Sequence, residues 1–449
     1  MAPTRRDAIA LTERPVGTVI PKPIPSTERT FDSADDTIVA PSDAAEAIPD
    51  GGYGWIVVFA CFVQTFWVNA WTGSWGILQT ALLKTTMRHV PASTLSFVGS
   101  LGLALTVGLC LVCVRLAQMI GAKWTTLMGI TLFGASNIIG GFSVSNVGGL
   151  FVTGILYGVG ASLLYTMANN LPVQWFSDHL GTANGVAKLG GGVGATIMTV
   201  VLQLLIEKVG IAWSFRVIGF VSLASGVPAA LLIKERAPNY NAPALDMRLF
   251  KDSSFSCLFV AGAIGIFALY VPSFFLPLVA SSLGISASTA AGLMACFNAC
   301  MALGRVGSGI ACDTLGSTNT LLLTMALNAV TMLAIWPFSS SLAPLMVFAA
   351  LNGMSNGAFF VSMPTAVGRL LGPGLAAAGM GMAMTGWCVG DLLGNPIAGF
   401  LIEATGADHA TSIVPYRAAI FYAGSTALAS TFFVLVARLR MDSNLLKKI

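Results

Sequence analysis

The chain has 449 residues, 55% of them hydrophobic and only 9% charged, with a net charge of +4 and a mean hydropathy of +0.80. A water-soluble chain of this length needs about a quarter of its residues charged to cover its surface, so most of this surface must face lipid. The small, scattered positive balance gives no footing for nucleic acid, and the eight cysteines, all in or at the ends of apolar runs, argue against a disulfide framework.

Residues 1–49 are proline-rich and polar, carry both signs of charge and show no apolar periodicity, so they are expected to form a disordered cytoplasmic tail. No apolar stretch follows their first basic residues, so a cleaved leader is not expected. From Gly54 onward, apolar runs long enough to span at about 20 residues each alternate with short polar breaks. They predict twelve transmembrane helices: 54–82, 92–117, 122–143, 147–174, 181–206, 211–233, 254–282, 287–311, 318–337, 342–370, 375–403 and 414–437. The longest break, 234–253, reads as a cytoplasmic linker between two six-helix bundles, 50–233 and 254–437, with 438–449 as a cytoplasmic tail. Sixteen lysines and arginines fall on the side of the termini and five on the other, which places both termini in the cytoplasm.

An internal repeat relates the halves. Gly121 and Gly316 lie 195 residues apart in equivalent connections, as do Gly158 and Gly353 in the fourth and tenth helices. Gly190 and Gly194 match Gly386 and Gly390 at an offset of 196. The predicted fold is an all-α membrane protein of two pseudo-symmetric six-helix bundles, with a substrate site between them near the midplane.

After the eighth helix the chain reads Gly304-Arg305, Gly309, Asp313 and Gly316, which resembles the G-x-x-x-D-x-x-G loop of major facilitator carriers. It serves either as a tight turn or as a conformational latch. Its counterpart after the second helix has Gln118 where the aspartate belongs. The segment Asp50-Gly51-Gly52-Tyr53-Gly54-Trp55 before the first helix resembles the first signature of the monocarboxylate transporter family. Trp175-Phe176, Ala183-Asn184-Gly185-Val186-Ala187 and Gly190 resemble its second, and Pro272, Gly304-Arg305 and the 394–399 run add to the likeness, whose texture is nearest the fungal branch. The resemblance covers 50–440 and implies transport of a small organic anion, often with a proton. Three departures stand against full equivalence. Gly73 and Met301 occupy positions where proton-coupled members carry a lysine and an aspartate, and Asp178, His179 and Leu180 replace a basic cluster. Proton-coupled lactate transport is therefore not assigned.

Ionisable residues inside membrane helices are expensive and face a cavity or a partner. Arg305 and Lys188 lie at similar depth in opposite halves, where they would suit a carboxylate. The rival reading is that both long side chains snorkel to the cytoplasmic interface. Asp391 sits beside the glycine stripe of the eleventh helix, either as a proton carrier or as a neutral group bonded within the bundle, with Asn395 in reach. Asn69, Tyr165, Asn169, Tyr270, Asn298 and Asn356, together with Gln64 and Asn352, line the cleft or bond neighbouring helices.

No phosphate-binding G-x-x-x-x-G-K-[ST] occurs, the triple glycine 190–192 lies inside a helix, and His89, His179 and His409 fall at loops. Cys110 and Cys113 read as packing residues. No cofactor, metal or enzymatic activity is expected. The expected function is secondary active or facilitative transport of a monocarboxylate-like anion by alternating access, with or without proton symport, most simply in the plasma membrane, with an organelle membrane as the alternative. The alternatives are a vitamin-like or neutral cargo, export of a secondary metabolite, or a non-transporting metabolite sensor, against which the short tails argue. The partners are the bilayer, a small-molecule substrate and the optional proton; an accessory subunit is left open.

Overall fold

The computed structural model describes residues 50–88, 90, 92–236, 245–405, 412–442 and 447–448. The predicted tail 1–49 and residues 237–244 of the predicted linker lie outside the described residues, as do His89 and His409.

The described residues form twelve helices of two turns or more that build the bundle. The first half holds α1 (Gly54–Lys84), α2 (Ala92–Gly108 and Cys110–Ile120, bent by 52° at Leu109) and α3 (Ala122–Gly140). It continues with α4 (Val147–Asn170, with a further turn Pro172–Trp175), α5 (180–209) and α6 (211–231). The second half holds α7 (Ser253–Leu269 and Val271–Ser282), α8 (Ala287–Leu315) and α9 (Ser317–Val330, continuing irregularly to Phe338). It ends with α10 (342–371), α11 (373–404) and α12 (Arg417–Met441). A short turn of helix, Met247–Lys251, leads into α7. The end carrying residues 50–53 and the connection between halves is called the linker face, and the other end the far face.

Local chemistry sets these boundaries. Asn146, Asp252 and Ser286 each accept a hydrogen bond from a backbone N–H of the helix that follows, capping α4, α7 and α8. At Gly121 and Gly316 the chain turns with φ of +85° and +96° and ψ of 154° and 147°. That conformation carries little strain only for glycine, and its recurrence 195 residues apart gives the repeat a structural meaning. Apolar side chains such as Phe59, Val200, Leu303 and Phe400 are exposed on the outside, as a lipid-facing surface requires.

Glycine contacts repeat as well. In α5, a Cβ on Gly190 or Gly194 would run into the Phe62 and Phe66 carbonyls of α1. In α11, the matched glycines Gly386 and Gly390 pack on Phe259 and Ile266 of α7. Gly158 of α4 lies on Leu105 of α2, and Gly353 of α10 on Phe297 of α8. Small residues thus set the close approach of backbones within each half.

At the far face each half carries an arginine held in the same manner. Arg216 of α6 donates to the Gly141 carbonyl at 3.3 Å and lies over the Phe142 ring. Arg417 of α12 donates to the Pro337 carbonyl at 2.9 Å and lies over Phe338.

Candidate functional site

Between the halves a cavity of about 430 Å³ runs from the middle of the bundle toward the far face. Of the predicted site residues, Asn69, Tyr165, Lys188, Tyr270, Asn298, Arg305, Asn356 and Asp391 all lie on its wall. Asn169 does not. It is buried among helices with its amide on the Tyr165 carbonyl at 2.7 Å, because α4 is enclosed on every side at that depth and its polar faces are taken up by its own backbone. Gln64 and Asn352 are packing residues too, bonded to the Gly226 carbonyl and the Thr331 hydroxyl.

Lys188 and Arg305 form the floor. They are 3% and 5% exposed, so neither snorkels to the linker face. Glycines at 191 and 192 leave α5 bare where the guanidinium lies, and a Cβ on Gly191 would stand 2.7 Å from Arg305 Nη1. That nitrogen donates across the seam to the Lys188 carbonyl at 2.9 Å. Lys188 Nζ sits 4.3 Å from the centre of the Tyr165 ring, a cation–π contact. Among the described residues neither Lys188 Nζ nor Arg305 Nε has a hydrogen-bond partner. Asp391 stands on the wall and takes no hydrogen bond from any described residue, Asn395 included. Two basic side chains and one carboxylate thus face a shared cavity.

Below the floor the halves are sealed. Asp313, at the end of α8, accepts from the Gly181 and Thr182 N–H groups at 2.8 and 2.7 Å and from the Thr182 hydroxyl at 2.6 Å. A carboxylate at the N-terminus of α5 also meets the positive end of that helix's dipole. Arg369 of α10 pairs with Asp313 at 2.7 Å and donates to the Cys312 and Asp178 carbonyls. Asn184 of α5 donates to Thr365 of α10 at 2.9 Å, and Gly309 packs on the Gly181 carbonyl. On the second seam, Leu111 N–H of α2 donates to Thr385 of α11 at 3.3 Å.

The segment before α1 supports this seal. Asp50 takes N–H bonds from Ser177, Asp178 and His179 at 2.8–3.0 Å, fixing the loop whose Asp178 carbonyl meets Arg369. Tyr53 donates to the Leu232 carbonyl at 2.8 Å, and Gly54 makes room for Phe176 and Trp175. Trp55 packs edge-on against Phe176, and Gly52 turns the chain with φ +60°. Gly51 meets nothing nearby that explains it.

The sequence profile of the Major Facilitator Superfamily matches residues 54–272 and 258–448. The chain belongs to the Major Facilitator Superfamily. Over 404 residues it is 26% identical to the MFS transporter asaE of Aspergillus flavus, covering 89% of this chain and 90% of that one. It is 28% identical over 381 residues to the Aspyridones efflux protein apdF of Emericella nidulans, covering 83% and 77%. Among solved structures it is similar to the human organic anion transporter MFSD10, with a TM-score of 0.70 at 14% identity over 86% of this chain and 100% of that one. The E. coli fucose:proton symporter FucP gives 0.65 at 17% identity, over 86% and 99%. At such identities the structural likeness shows the fold alone.

Within this major facilitator fold, sequence reasoning missed the aromatic part of the site. Trp71 and Trp75 of α1, Phe360 of α10 and Trp387 of α11 stand on the cavity wall above the floor. A signal was available for one of them: tryptophans of membrane helices gather at the two interfaces, and Trp387 falls mid-span, whereas Trp75 is near the end of its span and gives no such signal. Arg369 was also missed, read only as one more charge of the basic side. Its partner Asp313 lies in another helix, and no spacing along the chain joins them.

Proposed function

We propose that this major facilitator transporter exports an amphipathic organic anion, whose acidic group is held by Lys188 and Arg305 and whose apolar body lies against the tryptophans above them. The observation that carries the reading is the floor: two buried basic side chains, with Lys188 Nζ and Arg305 Nε unpartnered among the described residues, beside a cavity of about 430 Å³. A short monocarboxylate would fill a small part of such a space, which is of drug-sized scale. Relatives named as efflux proteins support the direction of transport. The likeness to monocarboxylate carriers is retained for the segment before α1, not for the cargo.

In this reading the linker face is cytoplasmic, in keeping with its lysines and arginines, and the cavity represents the releasing side of an alternating-access cycle. Loading then requires the α5–α8 and α2–α11 seams to part at the linker face. Asp391, on the same wall as the cations, is the group that would carry a proton if export is coupled to one.

Efflux of preloaded anthracene-2-carboxylate from cells expressing the chain, measured beside lactate, tests the proposal. Expected are saturable efflux of the aromatic acid and a loss of about ten-fold or more in Lys188→Met and Arg305→Ala, roughly the weight of one charge-assisted contact. Efflux unaltered in both variants would remove the anchoring role, and lactate as the preferred substrate would restore the monocarboxylate reading. In Asp391→Asn, a pH dependence identical to the parent's would dismiss Asp391 as a proton carrier.

A further inference from the structure

The cavity is not shared evenly between the halves. Among the described residues, all six helices of the first half reach its wall, the outer ones through Ser136 of α3 and Phe215 of α6. The second half contributes from α7, α8, α10 and α11 alone. The space therefore extends past the seam into the first half, as an arm between α1, α2 and α4.

Side-chain size explains the direction. On α1, Asn69, Thr72, Gly73 and Gly76 follow at helical spacing and share one face, which is turned to the cavity. Asn69 marks the level of the floor: a Cβ on Gly191 would stand 2.5 Å from its amide nitrogen and 2.7 Å from Arg305 Nη1. Gly76 lies seven residues further on, about 10 Å along the helix. Both Gly73 and Gly76 are exposed on the wall, and a Cβ on Gly76 would meet nothing within 4 Å. Across the seam α8 turns Met294, Asn298, Met301 and Arg305 to the same space, and among the described residues no glycine of the second half lines it. The arm is also uncharged, since none of the wall residues of α1, α2 and α4 is ionised at neutral pH. Its hydroxyls are already used. Thr72 and Tyr157 bond each other at 2.9 Å, and Thr106 and Thr153 bond carbonyls of their own helices at 2.9 Å. Trp71 and Trp75 border the arm, their ring centres 5.8 Å apart. Bare backbone, satisfied hydroxyls and aromatic rings favour an apolar guest.

We infer that the apolar body of the cargo is seated in this first-half arm, and that the bare backbone at Gly76 is the specificity-determining feature that admits a body of several rings. This rests on the export reading above and assigns a place to one end of its substrate. Acids whose rings reach about 10 Å beyond the acidic group, the two helical turns from Asn69 to Gly76, fill the arm. Single-ring acids leave most of it empty, so they bind more weakly.

Benzoate and anthracene-2-carboxylate share the carboxylate and differ in the rings beyond it. Their equilibrium affinities for the purified full chain are measured by isothermal calorimetry, so that slower entry through the mouth does not count. Thermal unfolding checks each variant. The parent is expected to bind the three-ring acid about ten-fold or more tighter, from the extra apolar area buried. Gly76→Leu puts a side chain into the open space and should cut that preference about ten-fold. Gly76→Ala, a smaller insertion, should cut it less and in the same direction. Ser273→Leu, an insertion of comparable bulk on the α7 wall, should leave the preference within about two-fold of the parent's. Equal affinities in the parent, a comparison that needs no variant, overturn the inference and leave the export reading standing. A preference that both Gly76 variants keep, or that Ser273→Leu lowers as much, overturns the arm assignment in the same way. Binding of neither acid, or binding indifferent to Lys188→Met, fails the export reading and this inference together.

Discussion

Asp50 shows how a single carboxylate can act at a distance from the cavity. Burial by itself would raise its pKa, but the N–H groups of Asp178, His179 and Ser177 outweigh that effect and hold it below the ordinary 3.8. A carboxylate lowered in the folded state contributes stability above its unfolded value, and that contribution is lost as the pH falls through the folded value. Thermal unfolding in detergent is therefore expected to show a decline below about pH 4 that Asp50→Asn reduces, the variant being less stable than the parent at neutral pH. Identical acid limbs in parent and variant would show that the three bonds carry no proton-linked stability. At this scale the sequence was informative where charge interrupts an apolar run: Lys188, Arg305 and Asp391 stood out because burying them needs a reason. It was uninformative for neutral polar groups. Asn69 lines the cavity and Asn169 bonds a carbonyl of its own helix, and only the facing of each helix separates the two. The three wall tryptophans were hidden by the opposite problem, since an aromatic ring in an apolar span looks like packing.

At the scale of the helix, glycine decides how close the backbones come. Gly194 of α5 lies against the Phe66 carbonyl of α1, and a methyl group there would have to displace main chain, not a flexible side chain. Gly194→Ala is expected to cost about 1–3 kcal/mol, the range for overpacking a filled interior, and to lower the thermal midpoint and the yield of folded protein. Gly307→Ala, in α8 where nothing lies within 4 Å, serves as the control and should be near neutral. A Gly194→Ala protein as stable as that control would show that the α1–α5 seam yields easily. The helices themselves were legible because each needs a long apolar run. Their breaks were not. The 52° bend of α2 falls at Leu109, an ordinary helix former, and the widened turn of α9 at Thr331–Ile335 precedes Trp336-Pro337 without a glycine. Residue types mark both places only in hindsight: Gly108 precedes the α2 bend, and Pro337, which lacks an N–H and crowds the carbonyl four residues back, follows the α9 turn.

Across the whole molecule, the seal at the linker face joins the halves through Asp313, Arg369 and the start of α5. Cys312 sits within it, fully buried, and its carbonyl accepts from Arg369. Asp313→Asn keeps the shape of the side chain and removes the charge that pairs with Arg369, so the seam should open more often. Maleimide labelling at Cys312, followed by peptide mass spectrometry, is expected to run several-fold faster in Asp313→Asn than in the parent, the order of one charge-assisted bond lost. Unchanged labelling would mean that Asn184–Thr365 and the glycine contacts hold the seam without the ion pair. The sequence offered the loop as a turn or as a latch. What it could not supply was the partner, because the α5 N-terminus and Arg369 reach Asp313 from different parts of the chain.

The repeat makes the halves alike in their turns, glycines and far-face arginines, yet among the described residues the carboxylate fastening is seen at the α5–α8 seam and not at the α2–α11 seam. Gln118 stands where the first half would carry its own aspartate, leaving the N-terminus of α11 without the carboxylate that α5 receives. A carrier whose ion-paired fastening is concentrated at one seam is open to inhibition away from its cargo. A compound wedged among Asp178, Thr182, Asp313 and Arg369 would hold the two bundles in one orientation and arrest turnover, lowering the maximal rate in a way that raising the cargo concentration on the cavity side would not restore.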